Sequence, residues 1–99
     1  MKVINLKELK AFPYSQREKN VLFEDNKCKL RIIELKAGES IPECIMNGTV
    51  IFHVFSGSGE LSVNGESVKI RKGDVSIGFK GSFSMKTSRG MKLTGVIVK

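Results

Sequence analysis

Histidine occurs once in this 99-residue chain, as His53, and cysteine only twice, as Cys28 and Cys44. A lone imidazole excludes a centre built from several histidines. Two thiols are too few for a disulfide-dense scaffold, and in a sequence without a secretion signal they are expected to stay reduced. Long apolar runs are also missing. The opening Met1-Lys2-Val3-Ile4-Asn5-Leu6-Lys7 sets a charge or an amide between apolar residues, unlike a signal peptide or a membrane span. The expectation is a cytoplasmic protein with no membrane partner. Nothing repeats at a period of about 20 to 50 residues, and no low-complexity linker divides the chain. Clustered basic charge is absent too. The formal net charge is +7, yet the lysines fall singly from Lys2 to Lys99 with acids and apolar residues between them. That pattern suits solvated strand edges and solubility rather than a phosphate-binding stripe, so no nucleic-acid partner is expected.

What is present reads as one domain over residues 1–99. The 40% of hydrophobic residues can offset the ordering entropy of a chain this short, and 27% charged residues can cover its surface. Residues 5–12 predict a short N-terminal helical turn, capped by Asn5 and ended by Pro13. Everything afterwards prefers strand. In 28–36, Leu30 and Ile32 alternate with Arg31, Ile33 and Leu35, so both faces carry apolar groups. In 49–55, Val50, Phe52 and Val54 oppose Ile51, His53 and Phe55. Asn64-Gly65 then supplies the two positive-φ residues of a type I′ turn. Such a turn sets Val63 against Glu66 and Leu61 against Val68, which puts Leu61, Val63, Val68 and Ile70 on one face and Ser62, Ser67 and Lys69 on the other. A Lys72-Gly73-Asp74 turn leads into Val75-Ser76-Ile77, and 82–87 and 92–98 are the last strands. Strands this short and this regularly spaced indicate an all-β barrel or sandwich.

The order of turns resembles the cupin family, small jelly-roll barrels also called double-stranded β-helices. In that family's first block a glycine precedes His-x-His, then a glutamate, then another glycine; Gly38 and Gly57 fit the frame and put Cys44 and Met46 at the histidine positions and Val50 at the glutamate position. In the second block Gly73 and Gly81 fit, with Phe79 at the proline position, Ser84 at the histidine position and Ser88 at the asparagine position. The resemblance runs from Leu35 to the C terminus and implies an all-β cupin-like barrel. It also implies that the metal-binding positions have been substituted, so no metal and no cofactor is expected, and a metal-dependent dioxygenase, isomerase or decarboxylase is disfavoured.

The resemblance directs its metal-binding positions inward, and strand parity extended from them implies a lumen lined by Arg31, Ile33, Cys44, Met46, Val50, Phe52, Phe79 and Ser84, with Met85 and His53 turned outward. An inward Arg31 needs a carboxylate, carbonyls or water; it can pair within the chain, with Glu43 as the candidate, or anchor an anionic ligand. The reading that follows is a non-catalytic small-molecule-binding or structural module taking a small apolar or anionic ligand. The alternative is a thiol- or soft-metal-dependent enzyme or metal carrier using Cys44 and Met46, a pair that suits Cu(I). A homodimer is expected to cover an outer apolar patch of Leu30, Ile32, Ile51 and Phe55.

Overall fold

Residues 1–99 are all described by a computed structural model, which has eight strands: β1 (Val21–Glu24), β2 (Cys28–Leu35), β3 (Ser40–Met46), β4 (Thr49–Val63), β5 (Glu66–Arg71), β6 (Val75–Gly78), β7 (Gly81–Lys86) and β8 (Met91–Val98). One sheet runs β1-β2-β8-β4-β6 and the other β3-β7-β4-β5, with every neighbouring pair antiparallel. The fold is the all-β jelly-roll barrel. Its two sheets are joined through β4, whose residues 49–57 pair with β8 and whose residues 58–63 pair with β5. The sequence alone divides this stretch into two strands. A bulge and a glycine explain the difference, because the register slips between Val54 and Ser56 and the chain bends at Gly57 without ending the pairing. At the bend Gly57 takes φ +77°, and a Cβ there would collide with the Gly90 carbonyl oxygen.

The Asn64-Gly65 hairpin has the expected register, with Val63 opposite Glu66 and Leu61 opposite Val68. Both turn residues are left-handed, Asn64 at φ 51° and Gly65 at φ 83°. Leu61 and Ile70 from this hairpin are buried with Leu35, Val54, Met85 and Leu93 in one cluster between the sheets. Each such side chain contributes about 1.5–3 kcal/mol by leaving water. Edge strand β3 joins the same core through an irregularity. Its register slips between Ile41, opposite Met85, and Cys44, opposite Phe83. Pro42 lies in the slip, where a residue without an N–H loses no ladder bond. The extra residue reverses parity, so that Ile41 and Cys44 both turn inward.

The N-terminal segment differs from the sequence expectation. Around Asn5 there is a single turn, in which Glu8 N donates to Asn5 O and Lys7 N donates to Asn5 Oδ1. Helical turns come after Pro13 instead, as a 3-10 helix over Tyr14–Asn20 kinked at Gln16, where φ is −112° and ψ 31°. Proline explains the reversal: with φ fixed at −54° and no N–H to satisfy, Pro13 starts this helix rather than ending the earlier one. Asn20 then fixes the helix to the chain before it. Its buried side chain accepts from Phe12 N at 2.8 Å through Oδ1 and donates to Phe12 O at 2.9 Å through Nδ2. The two bonds close residues 12–20 into a loop against β2.

The outer patch of Leu30, Ile32, Ile51 and Phe55 does not stand open on the single chain. Ile32 is 2% exposed, and the other three are half-buried. The exposed apolar residues lie elsewhere, among them Val75 and Ile77 on β6.

Two glycines separate backbone strain from steric overlap. Gly65 has open space where a side chain would go, so Gly65→Ala is expected to cost about 1–2 kcal/mol from the left-handed backbone alone. Gly57→Ala adds the collision with Gly90 and is expected to cost clearly more, as read from urea midpoints of the two variants.

Candidate functional site

Three antiparallel strands build the floor of the site. Cross-strand partners share a face, so the inner side of one sheet carries the row Ile33–Leu93–Val54, then Arg31–Gly95–Phe52, then Lys29–Ile97–Val50. The first row is packed shut. In the second, Gly95 offers no side chain between Arg31 and Phe52, and the Phe52 ring lies 3.2 Å from where a Cβ would stand. The opposite sheet supplies Cys44, Met46 and Phe83, and the 3-10 helix brings Tyr14 and Arg17 across the opening. Between them lies a cavity of about 250 Å³, walled mostly by apolar side chains. That space equals roughly eight waters and falls just below the range of about 300–1,000 Å³ usual for small-molecule pockets.

Six of the eight sequence-derived lumen residues line this cavity: Arg31, Ile33, Cys44, Met46, Val50 and Phe52. Ser84 and Phe79 do not. Ser84 pairs with Ser62 on the outer side of β7, while Phe83 pairs with inward Val63 and Met85 pairs with inward Leu61. Met85 is therefore a core residue, not an outward one, and Phe83 occupies the inward position that the glycine spacing assigned to Ser84. The hairpin fixes this register, because Asn64 Oδ1 accepts from Ser82 N at 3.0 Å and Asn64 N donates to Ser82 O at 2.9 Å. Phe79 is 72% exposed in the loop after β6, at the rim of a small adjoining cleft. His53 is exposed on the outer face, as its parity requires. Tyr14, Arg17, Phe83, Gly95 and Ile97 complete the lining, and parity arguments missed them. Tyr14 and Arg17 carried no readable signal because their helix has no apolar alternation. Gly95 and Ile97 were readable only once β8 was paired.

The polar groups gather at one end. Arg31 has a side chain only 13% exposed, and its Nε is buried with no hydrogen-bond partner. Its carboxylate neighbour is Glu18 rather than the exposed Glu43: Nη2 lies 3.9 Å from Glu18 Oε1, too far for a hydrogen bond. Lys29 Nζ lies 3.7 Å from the same carboxylate, whose side chain is largely exposed. A buried guanidinium with so little acceptor contact carries a desolvation cost that its surroundings only partly offset. Arg17 is already engaged, with its guanidinium 4.9 Å from the Tyr14 ring centre and Nη1 donating to Tyr14 O at 3.5 Å. The Cys44 thiol donates to Pro42 O at 3.2 Å, and the Tyr14 hydroxyl lies 3.9 Å from its sulfur.

The residues at the positions where this fold family holds a metal do not fit a hard divalent ion. Cys44, Met46, Val50 and Phe83 offer one thiol and one thioether, and nowhere in the chain do three or more His, Cys, Asp or Glu side chains come together as a metal site. No helix is long and apolar enough to cross a membrane.

No protein-family model and no curated protein matches the chain. Solved structures do. The Cnp3 cupin domain of Schizosaccharomyces pombe is 21% identical over 80% of this chain and 62% of its own, with a TM-score of 0.72. A conserved protein of unknown function from Streptococcus pyogenes is 18% identical over 100% of this chain and 96% of its own, with a TM-score of 0.76. Salicylate 1,2-dioxygenase from Pseudaminobacter salicylatoxidans is 25% identical over 73% of this chain, with a TM-score of 0.69, and the match spans 21% of that enzyme. The chain thus covers less than two-thirds of the Cnp3 domain and about a fifth of the dioxygenase. The fold is that of the cupin superfamily, a double-stranded β-helix.

Burial, and to a lesser degree the contact with Cys44, holds the Tyr14 phenol protonated above its ordinary pKa of 10.0. Since Tyr14 is the chain's one tyrosine, an ultraviolet titration of tyrosinate reads it directly, and its midpoint is expected above that of the unfolded chain. Cys44→Ala is expected to bring the midpoint only part of the way back. Because the folded pKa is raised, the stability linked to this group is fully present below the unfolded value of about 10 and is lost as pH rises through the folded value.

Proposed function

We propose that this chain is a non-catalytic, metal-free cupin module that binds a small molecule in its barrel. One observation carries the reading: a cavity of about 250 Å³ with apolar walls and a single polar end lies between the two sheets. Apolar walls provide affinity through burial, and the few convergent polar groups provide orientation. The salicylate dioxygenase supports the size class. That enzyme is named for salicylate and its structures include gentisate adducts, and both compounds are single-ring aromatic acids.

The soft-metal or thiol reading has one observation in its favour, since Cys44 and Met46 line the same cavity. Two soft donors fall short of a usual coordination set, and the thiol proton is already directed to the Pro42 carbonyl. Native mass spectrometry of freshly purified protein, run beside a denatured sample and elemental analysis, separates the two. The binding reading expects an organic adduct, or uptake of a small aromatic probe, with no stoichiometric metal. Filling the cavity with Ile97→Phe or Met46→Phe is expected to abolish that uptake while the protein stays folded. Stoichiometric copper released only on unfolding would reverse the assignment.

Self-association forms part of the same reading. Strand β6 pairs only with β4, so its other edge is open, and its Val75 and Ile77 are 57% and 59% exposed. An antiparallel pairing of β6 with β6 of a second copy satisfies both open edges by one two-fold contact. Light scattering is expected to give a dimer at micromolar concentration and a monomer after Ile77→Lys; a monomeric parent protein defeats the proposal.

A further inference from the structure

Arg31 is the least satisfied charged group in the cavity. Its Nε is buried and unpartnered, the Glu18 carboxylate stops 3.9 Å short on the outer side, and Lys29 draws that same carboxylate from 3.7 Å. A guanidinium presents its N–H groups as a planar fork, and a carboxylate is the acceptor whose two oxygens match that fork. Beyond Arg31 the cavity offers little to a second charge. Its floor is Ile33, Val50 and Phe52, and Arg17 stacks on the Tyr14 ring in an exposed position, where water screens its charge. Tyr14 meets the same space as a neutral phenol, a hydrogen-bond donor that does not repel an anion.

Resting on the binding reading above, we propose that the cavity selects small monocarboxylates with an apolar body, anchored by Arg31, and that Glu18 is the chain's own substitute for that carboxylate. Glu18 is suited to the part. It rides on the 3-10 helix that Asn20 clasps in place at the cavity mouth, yet its side chain remains 76% exposed and makes no short contact with the arginine. A ligand carboxylate entering the cavity meets the part of Arg31 that lines it, where Glu18 makes no contact shorter than 3.9 Å. The helix thereby becomes a competitor as well as a cover: the ligand must outbid an acid already drawn to the same cation, which lowers affinity without closing the site.

Calorimetric titration of the full chain with benzoate, beside its neutral isostere benzamide, tests this. Benzoate is expected to bind about tenfold or more tightly than benzamide, the worth of one charge-assisted hydrogen-bonded pair. Glu18→Gln, an exposed change that leaves the core untouched, is expected to tighten benzoate about two- to fivefold and to leave benzamide unchanged. Arg31→Met is expected to abolish the preference between the two probes. Equal binding of benzoate and benzamide overturns the carboxylate anchor while the small-molecule reading stands. Weaker benzoate binding in Glu18→Gln overturns the competitor role, and failure of both probes to bind overturns the cavity reading along with this proposal.

Discussion

A barrel of two sheets needs strands that belong to both, and here β4 meets that demand with fifteen residues in one run. Its first half lies beside β6 and β8 and its second half beside β5 and β7. Alternation along β4 sends Val50, Phe52 and Val54 into the interior from one sheet and Leu61 and Val63 from the other. The bend between them must place a peptide against Gly90 at a left-handed angle, which only a residue without a side chain does at low cost. Every inward residue of β6, β7 and β8 takes its face from the strand partner that β4 assigns it.

The same pairing creates the cavity. Packing between sheets normally fills space to crystal density, and in the row below the site it does so with Ile33, Leu93 and Val54. One row further along, Gly95 supplies nothing, and the facing strand β3 offers only Cys44 and Met46. Space results, and it is bounded at one end by Arg31. A hydrophobic cavity and a cation are poor neighbours energetically unless something reconciles them, because the cation's hydration is lost and no strong acceptor replaces it. The pairing with Glu18 at 3.9 Å is a partial reconciliation, made through solvent-exposed atoms.

Much of this was legible beforehand because β-structure has a period of two. Given a turn of known type, register follows, and from register the faces of Leu61 and Val63 follow without coordinates, while the inward placement of Cys44, Met46, Val50 and Phe52 came from the family resemblance. Parity failed where the count of residues between fixed points was uncertain. Glycine spacing counted Ser84 inward, while hydrogen bonds from Asn64 to Ser82 set β7 one residue over and made Phe83 and Met85 the inward pair. It failed again in Tyr14–Asn20, where a polar, non-alternating stretch carries no periodic signal and the helix owes its place to Pro13 and to the Asn20 clasp.

The sequence by itself determined the Asn64-Gly65 hairpin, the all-β class and the scarcity of histidine, since each depends on residue type and local spacing. Only the tertiary structure decided what Arg31 meets, because its partner Glu18 belongs to another element and no local rule links them. The same holds for the cavity's mouth and its empty middle: they arise where Gly95, Phe52 and a helix distant in the chain come together, and long-range packing alone fixes that meeting.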